Sequence, residues 1–361
     1  MTTPADATSM PRWRLSGLAF ALVLTACTAT GPSASPVASP TESQAPAPET
    51  PAPSPSGPPT VALEDVATFD LEAREAPDWP DLLDGSLWVL VPDGDDPAVL
   101  RMDPETGAEQ ARISLPGGAC EMLIAGFGSI WACTPDGFVR IDPATNTIAT
   151  SVPFLTPDMG VRPAVSEDAV WSLSGDIVAT DVVRIDPASN AVTATYPLGH
   201  SVAQIAYGLG YLWATAMRDG LLLRIDPASG EVAVAATDLV DPLAVATGAG
   251  HVWVGLQGTG TDEDPDPAVP DLFRFDPETG SGGFFDYGFK PLETKSANGL
   301  LVTETDVWLK GTAPFLMRLD PESGEIEWVV TSDYGSGAMV IANYILWIAV
   351  WRENSVLRID L

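Results

Sequence analysis

The chain has 361 residues, 45% apolar and 18% charged, which is enough to build a sizeable core. Acidic residues outnumber basic ones 49 to 17, for a net charge of −32. A chain this acidic repels phosphates, which excludes nucleic acid as a partner and disfavours direct contact with anionic headgroups; most of the charge serves solubility.

The N-terminus reads as an export signal. "MPRWR" (Met10 to Arg14) supplies positive charge, and "LSGLAFALVL" (Leu15 to Leu24) is too short to span a bilayer as a helix. Met1 and Met10 are both candidate starts. "LTAC" (Leu24 to Cys27) closes the run and resembles the bacterial lipobox, whose cysteine is lipidated and becomes the mature N-terminus. Residues 1–27 are therefore expected to be signal and lipobox, with Cys27 as the lipidation site. Residues 28–60 are mostly Pro, Ala, Ser and Thr with no basic or aromatic side chain. Such a segment has little apolar area to bury against its ordering entropy and reads as an extended stalk. The expected location is the outer face of the cell membrane, with the membrane as a partner through the lipid.

From residue 61 a repeat sets the architecture. Seven tryptophans (Trp88, Trp131, Trp171, Trp213, Trp253, Trp308 and Trp347) stand in similar apolar contexts, and each is followed by Arg-x-Asp, from Arg101 and Asp103 to Arg358 and Asp360. Residues 61–361 give 43 residues per copy, and each copy reads as short strands with no helical period. Four-stranded repeats of this length predict an all-β, seven-bladed β-propeller of antiparallel blades. "DPETG" (Asp103 to Gly107) and its cognates read as hairpin turns: Asp caps, Pro fixes φ, and a Gly or Asn closes in the left-handed region. The tryptophans read as packing between blades, and the Arg and Asp pairs as structural ion pairs or turn caps. The seventh copy stops after its third strand, at "VLRIDL", while a spare strand-like segment, "VALEDVATFDLEAR" (Val61 to Arg74), precedes the first. That segment is expected to supply the missing outer strand and close the ring.

The "G-x-x-W…R-(I/F/L)-D-P-x-(T/S)-(G/N)" repeat resembles that of the YncE-like propellers and their relative, streptogramin (virginiamycin B) lyase, over nearly all of residues 61–361. The resemblance implies the seven-bladed fold. The lyases open a cyclic ester by elimination with histidines, a glutamate and Mg²⁺, including a Glu-x-His pair. This chain has two histidines, His200 and His251, and no Glu-x-His. The reading therefore leans toward a non-catalytic protein, with no catalytic residue, cofactor or metal assigned.

Cys120 and Cys133 flank a hairpin folded at "GFGS" and are expected to form a disulfide outside the cytoplasm. Asp262, Asp264 and Asp266 alternate in an acidic insertion but lack the Gly and closing Glu of a calcium loop, so the insertion reads as solvated. In an up-and-down blade, the turns between strands one and two and between three and four share one end, the turn face. The other connections share the opposite end, the loop face, and here they vary in length and content. Function concentrates on variable loops of a rigid scaffold. Arg162, His200, Arg218, Lys290, Tyr334, Trp351 and Arg352 are the scarce cations and aromatics expected there, around the channel mouth. Three functions follow: a monomeric binder of a protein or small ligand, a lyase or hydrolase using His200 and nearby carboxylates, or an envelope assembly scaffold.

Overall fold

The computed structural model describes residues 60–63, 67–70, 76–92, 96–120, 122–157, 162–176, 178–257, 270–287, 299–311, 315–332, 334 and 337–361. Two short strands come first, β1 (Thr60–Ala62) and β2 (Ala67–Asp70). Blade 1 is β3 (Asp78–Leu83), β4 (Ser86–Val91), β5 (Ala98–Met102) and β6 (Glu109–Ser114). Blade 2 is β7 (Leu123–Gly126), β8 (Ser129–Thr134), β9 (Gly137–Asp142) and β10 (Thr147–Pro153). Blade 3 is β11 (Ala164–Val165), β12 (Val170–Ser174), β13 (Ala179–Asp186) and β14 (Ala191–Val202). Blade 4 is β15 (Gln204–Gly208), β16 (Tyr211–Ala216), β17 (Leu221–Ile225) and β18 (Val232–Ala236). Blade 5 is β19 (Pro242–Gly248), β20 (His251–Leu256), β21 (Leu272–Asp276) and β22 (Ser281–Phe285). Blade 6 is β23 (Leu300–Val302), β24 (Val307–Lys310), β25 (Leu316–Leu319) and β26 (Ile326–Thr331). Blade 7 is β27 (Met339–Ala342), β28 (Ile345–Val350) and β29 (Ser355–Asp360).

The seven first strands touch in ring order, β3 to β7, β11, β15, β19, β23 and β27, and back to β3, so they line a central channel. Second strands such as β4, β8 and β28 are buried almost throughout, because neighbouring blades cover both faces. Fourth strands such as β10 alternate exposed and half-buried, as outer strands should.

Each repeat tryptophan sits directly across the ladder from its arginine: Trp88 opposes Arg101, and Trp347 opposes Arg358. The seven indoles are at most 1% exposed. The guanidinium lies over the indole in blades 1, 2, 3, 5, 6 and 7, at 5.0–5.8 Å, and in blade 4 Arg224 lies over Tyr211 at 4.7 Å. The indole N–H of Trp88, Trp131, Trp213 and Trp253 donates to the carbonyl five residues back, across the hairpin. Trp308 departs from this: its Nε1 has no acceptor among the described residues, and its ring meets Trp328 edge to face at 5.6 Å.

The Arg-x-Asp motif separates into two devices. The aspartates cap their own turns, as Asp103 accepts the Glu105 and Thr106 N–H groups at 2.9 Å. The closing residues Gly107, Asn146, Asn190, Gly230, Gly280 and Gly324 all have φ between +54° and +75°. Four of the seven arginines instead reach the next blade. The Nη1 atoms of Arg101, Arg140, Arg274 and Arg358 donate to the carbonyls of Pro143, Pro187, Pro321 and Pro104. An ion pair within the motif forms in blade 7, between Arg358 and Asp360 at 3.2 Å.

The ring closes as expected, with one difference. β2 pairs antiparallel with β29 and completes blade 7. Residues 61–74 do not act as one strand, however: β1 pairs parallel with β26 and makes blade 6 five-stranded. The reason is length. β29 offers six residues, about 20 Å of ladder, so the remainder of the segment satisfies the open edge next door.

Candidate functional site

Three places on this frame concentrate chemistry. The first is the channel, where a cavity of about 200 Å³ is lined by Arg162, Ile205, Tyr207, Val245, Thr247 and Leu301, among others. Arg162 is half-buried and faces the charge of Asp81 on β3. Asp81 accepts the Leu82 N–H and, across the blade seam, the Ala125 N–H, both at 2.7 Å. Burial pushes the Asp81 carboxyl above the usual carboxylate range, opposed by those two N–H groups and by Arg162. Burial likewise pulls Arg162 down, opposed by Asp81.

The second lies on the loop face where blades 6, 7 and 1 meet. Lys310, at the end of β24, is 2% exposed. Its Nζ donates to the Gly337 carbonyl at 2.9 Å and stands 5.3 Å from the Phe315 ring centroid. Burial pulls the ammonium down to about 7, partly opposed by the carboxylates of Asp78 and Glu353. Glu353 belongs to the β28–β29 connection, whose Trp351 is 41% exposed with Arg352 stacked 5.2 Å over its ring. Tyr334, on the β26–β27 connection at the same end, is 38% exposed. Exposed aromatics here contrast with the seven buried indoles.

His200 and Arg218 come together elsewhere on the loop face. His200 Nδ1 is 2.8 Å from Asp219 Oδ2, and Asp219 follows Arg218 in a short 3₁₀ turn, Met217–Asp219. Lys290 and the acidic insertion with Asp262, Asp264 and Asp266 lie outside the described residues, as does Cys27. Cys120 and Cys133 are joined by a disulfide with Cα atoms 5.2 Å apart, and the Cys120 N–H donates to the Cys133 carbonyl.

The third place is on the turn face, between blades 3 and 4: an open cleft of about 520 Å³ bordered by Glu167, Asp168, Arg184, Tyr196, Tyr207 and Pro227. The Tyr207 hydroxyl donates to Glu167 at 2.6 Å, which lowers the carboxyl pKa and raises the phenol to about 12.

Sequence reasoning missed Lys310, Asp81 and this cleft. Lys310 had a signal, because it is the one charged side chain within the seven second strands. Asp81 and Glu167 had none, since acidic residues are common throughout the chain.

No protein-family model matches the chain, and no curated protein matches it in sequence. Solved structures do resemble it. A catalytically inactive virginiamycin B lyase from Staphylococcus aureus with quinupristin is 16% identical with a TM-score of 0.62, over 82% of this chain and 99% of that one. A streptogramin B lyase is 16% identical with a TM-score of 0.61, over 81% and 96%. BamB from Moraxella catarrhalis is 17% identical with a TM-score of 0.54, over 80% and 84%. At these identities the likeness is one of fold alone, shared by proteins of different names.

Proposed function

We propose that the chain is a lipid-anchored, extracytoplasmic propeller that binds a partner protein or small ligand on its loop face, without chemistry of its own. The observation that carries this reading is the junction of blades 6, 7 and 1, where Lys310 is buried beneath a connection presenting Trp351 and Arg352. Burying an ammonium opposes folding, and strongly shifted groups gather at functional sites. The stacked Trp351 and Arg352 are residue types that dominate binding hot spots. The anchor is Cys27.

Two measurements test the reading in cells. Cys27→Ser should move the protein from the membrane to the soluble or culture fraction, and unchanged partitioning removes the anchor. A photo-crosslinking residue at position 351 should give a discrete adduct in the native envelope that is lost with Arg352→Ala. Adducts from position 144 on the turn face, with none from 351, assign binding to the wrong end.

A second reading, an enzyme using His200 and Asp219 as an acid-base pair, rests on their 2.8 Å contact. Quinupristin incubated with the purified chain should be recovered intact. Ring-opened quinupristin that disappears with His200→Ala would establish the lyase reading instead.

A further inference from the structure

The arginine struts show what the grooves between blades hold. At four seams the guanidinium passes under the next blade's Asp-Pro turn and finds two acceptors. These are Pro143 O with Asn146 Oδ1, Pro187 O with Asn190 Oδ1, Pro321 O with Glu322 O, and Pro104 O with the Glu105 carboxylate. Arg224 of blade 4 does not follow them and lies over Tyr211 instead; nor does Arg184 of blade 3. Arg184 pairs with Asp168 Oδ2 at 2.7 Å and Thr193 Oγ1 at 3.1 Å, both in its own blade.

Local sequence explains the diversion. Blades 1 and 2 place Ser86 and Ser129 two residues before the tryptophan, where each accepts from the arginine Nε. Blade 3 has Ala169 there, preceded by Asp168. Blade 6 makes a similar capture of Arg318 by Asp306, but there the diversion has a structural cause: blade 7 takes its fourth strand from β2 and has no Asp-Pro turn to receive a strut. Between blades 3 and 4 the receiving turn is present. Pro227 accepts one bond, from the Tyr196 hydroxyl at 3.2 Å, and Pro227 and Ala228 border the open cleft.

We infer that the cleft between blades 3 and 4 receives a basic peptide segment, whose arginine or lysine side chain takes the place that the protein's own arginine fills at four other seams. A carbonyl oxygen has two lone pairs, so Pro227 keeps one for such a donor. Glu167 stands at the mouth with acceptor capacity beyond its bond to Tyr207. Tyr196 and Tyr207 border the cleft with half-buried side chains. The charge of Arg184 is already matched by Asp168. A volume of about 520 Å³ exceeds one side chain and admits a short stretch of backbone. The net charge of −32 draws cations to the surface from a distance. This site is on the opposite face from the binding proposed above and stands independently of it.

The test is calorimetric titration of the full chain at low salt with a short capped peptide of alternating glycine and arginine. Its comparison is the same peptide with citrulline, which keeps the shape and removes the charge. One arginine peptide should bind per chain, with the citrulline peptide at least about tenfold weaker, a difference of 1.4 kcal/mol. Glu167→Gln should weaken binding several-fold. Asp168→Ala should do so too, by freeing Arg184 to reach Pro227. Glu278→Gln, in the exposed turn of blade 5, removes the same charge at a distance and should leave binding unchanged. Equal binding of the two peptides, equal losses for Glu167→Gln and Glu278→Gln, or no binding would each overturn the inference. So would binding of a neutral disaccharide in place of the peptide, with the same dependence on Glu167, since that makes the cleft a sugar site.

Discussion

Arg358 and Pro104 are 254 residues apart in the chain, yet the Arg358 guanidinium donates to the Pro104 carbonyl at 3.1 Å. The seam that joins the end of the ring to its beginning thus carries the same strut as three of the seams between consecutive blades. Arg358 also lies opposite Ala67 of β2 in the ladder that completes blade 7. Closure is therefore made twice, once by backbone and once by side chain.

The backbone part can be removed stepwise. Chains starting at Thr60, Asp65 and Glu75 keep β1 and β2, β2 alone, and neither. Thermal midpoints should fall in that order, with the shortest losing several kcal/mol from a total of about 5–15 kcal/mol. Equal midpoints for the three would refute closure by this segment.

The repeat arginines differ in their surroundings and should differ in worth. Arg140 bonds Pro187, Asn190, Ser129 and Phe127, and Arg140→Met should cost about 2–3 kcal/mol. Arg184 pairs with Asp168, whose side chain is 71% exposed, and Arg184→Met should cost under about 1 kcal/mol. Denaturant midpoints at a common slope measure both, and a larger loss at Arg184 contradicts the strut interpretation.

Lys310 predicts an unusual pH dependence. Its folded pKa of about 7 lies below the ordinary 10.5, so between them the unfolded chain holds a proton that the folded chain has released. Stability should therefore rise as pH climbs from about 7 toward 10, and the burial penalty is fully present below that window. In Lys310→Met this rise should vanish. Melting temperatures from pH 6 to 10 decide it, and an unchanged slope in the variant means that Lys310 does not carry it.

The Cys120–Cys133 disulfide spans 13 residues of sequence at the loop-face end of blade 2. Replacing both cysteines by alanine should lower stability by about 3 kcal/mol, the scale for a loop of this size. Adding reductant to the native chain should reproduce most of that loss, whereas an unchanged melt under reductant is incompatible with a stabilising bridge.

The architecture was legible because tryptophan, arginine and the Asp-Pro turn recur in phase, and a phase that survives seven copies reports a common ladder. The direction of the arginines was not legible. Trp88 and Arg101 are near in sequence, but the Pro143 that receives Arg101 is known as a neighbour only once the blades are stacked. Ala169 and Asp168 did mark blade 3 as different, standing where blades 1 and 2 carry Ser and Gly. Among the expected loop-face residues, Arg162 proves to line the channel, and His200 meets the turn of Arg218 through Asp219. Trp351 and Arg352 gain context from Lys310, whose burial follows from its position in a strand covered on both sides.

The parallel pairing of β1 with β26 has a mechanical consequence. Any tension arriving from residues before Thr60 meets the Thr60–Ala62 ladder on blade 6 before it reaches the Ala67–Asp70 ladder that holds blade 7 shut. Three residues of pairing act as a breakaway latch. While they hold, the strand that keeps the ring intact carries no force.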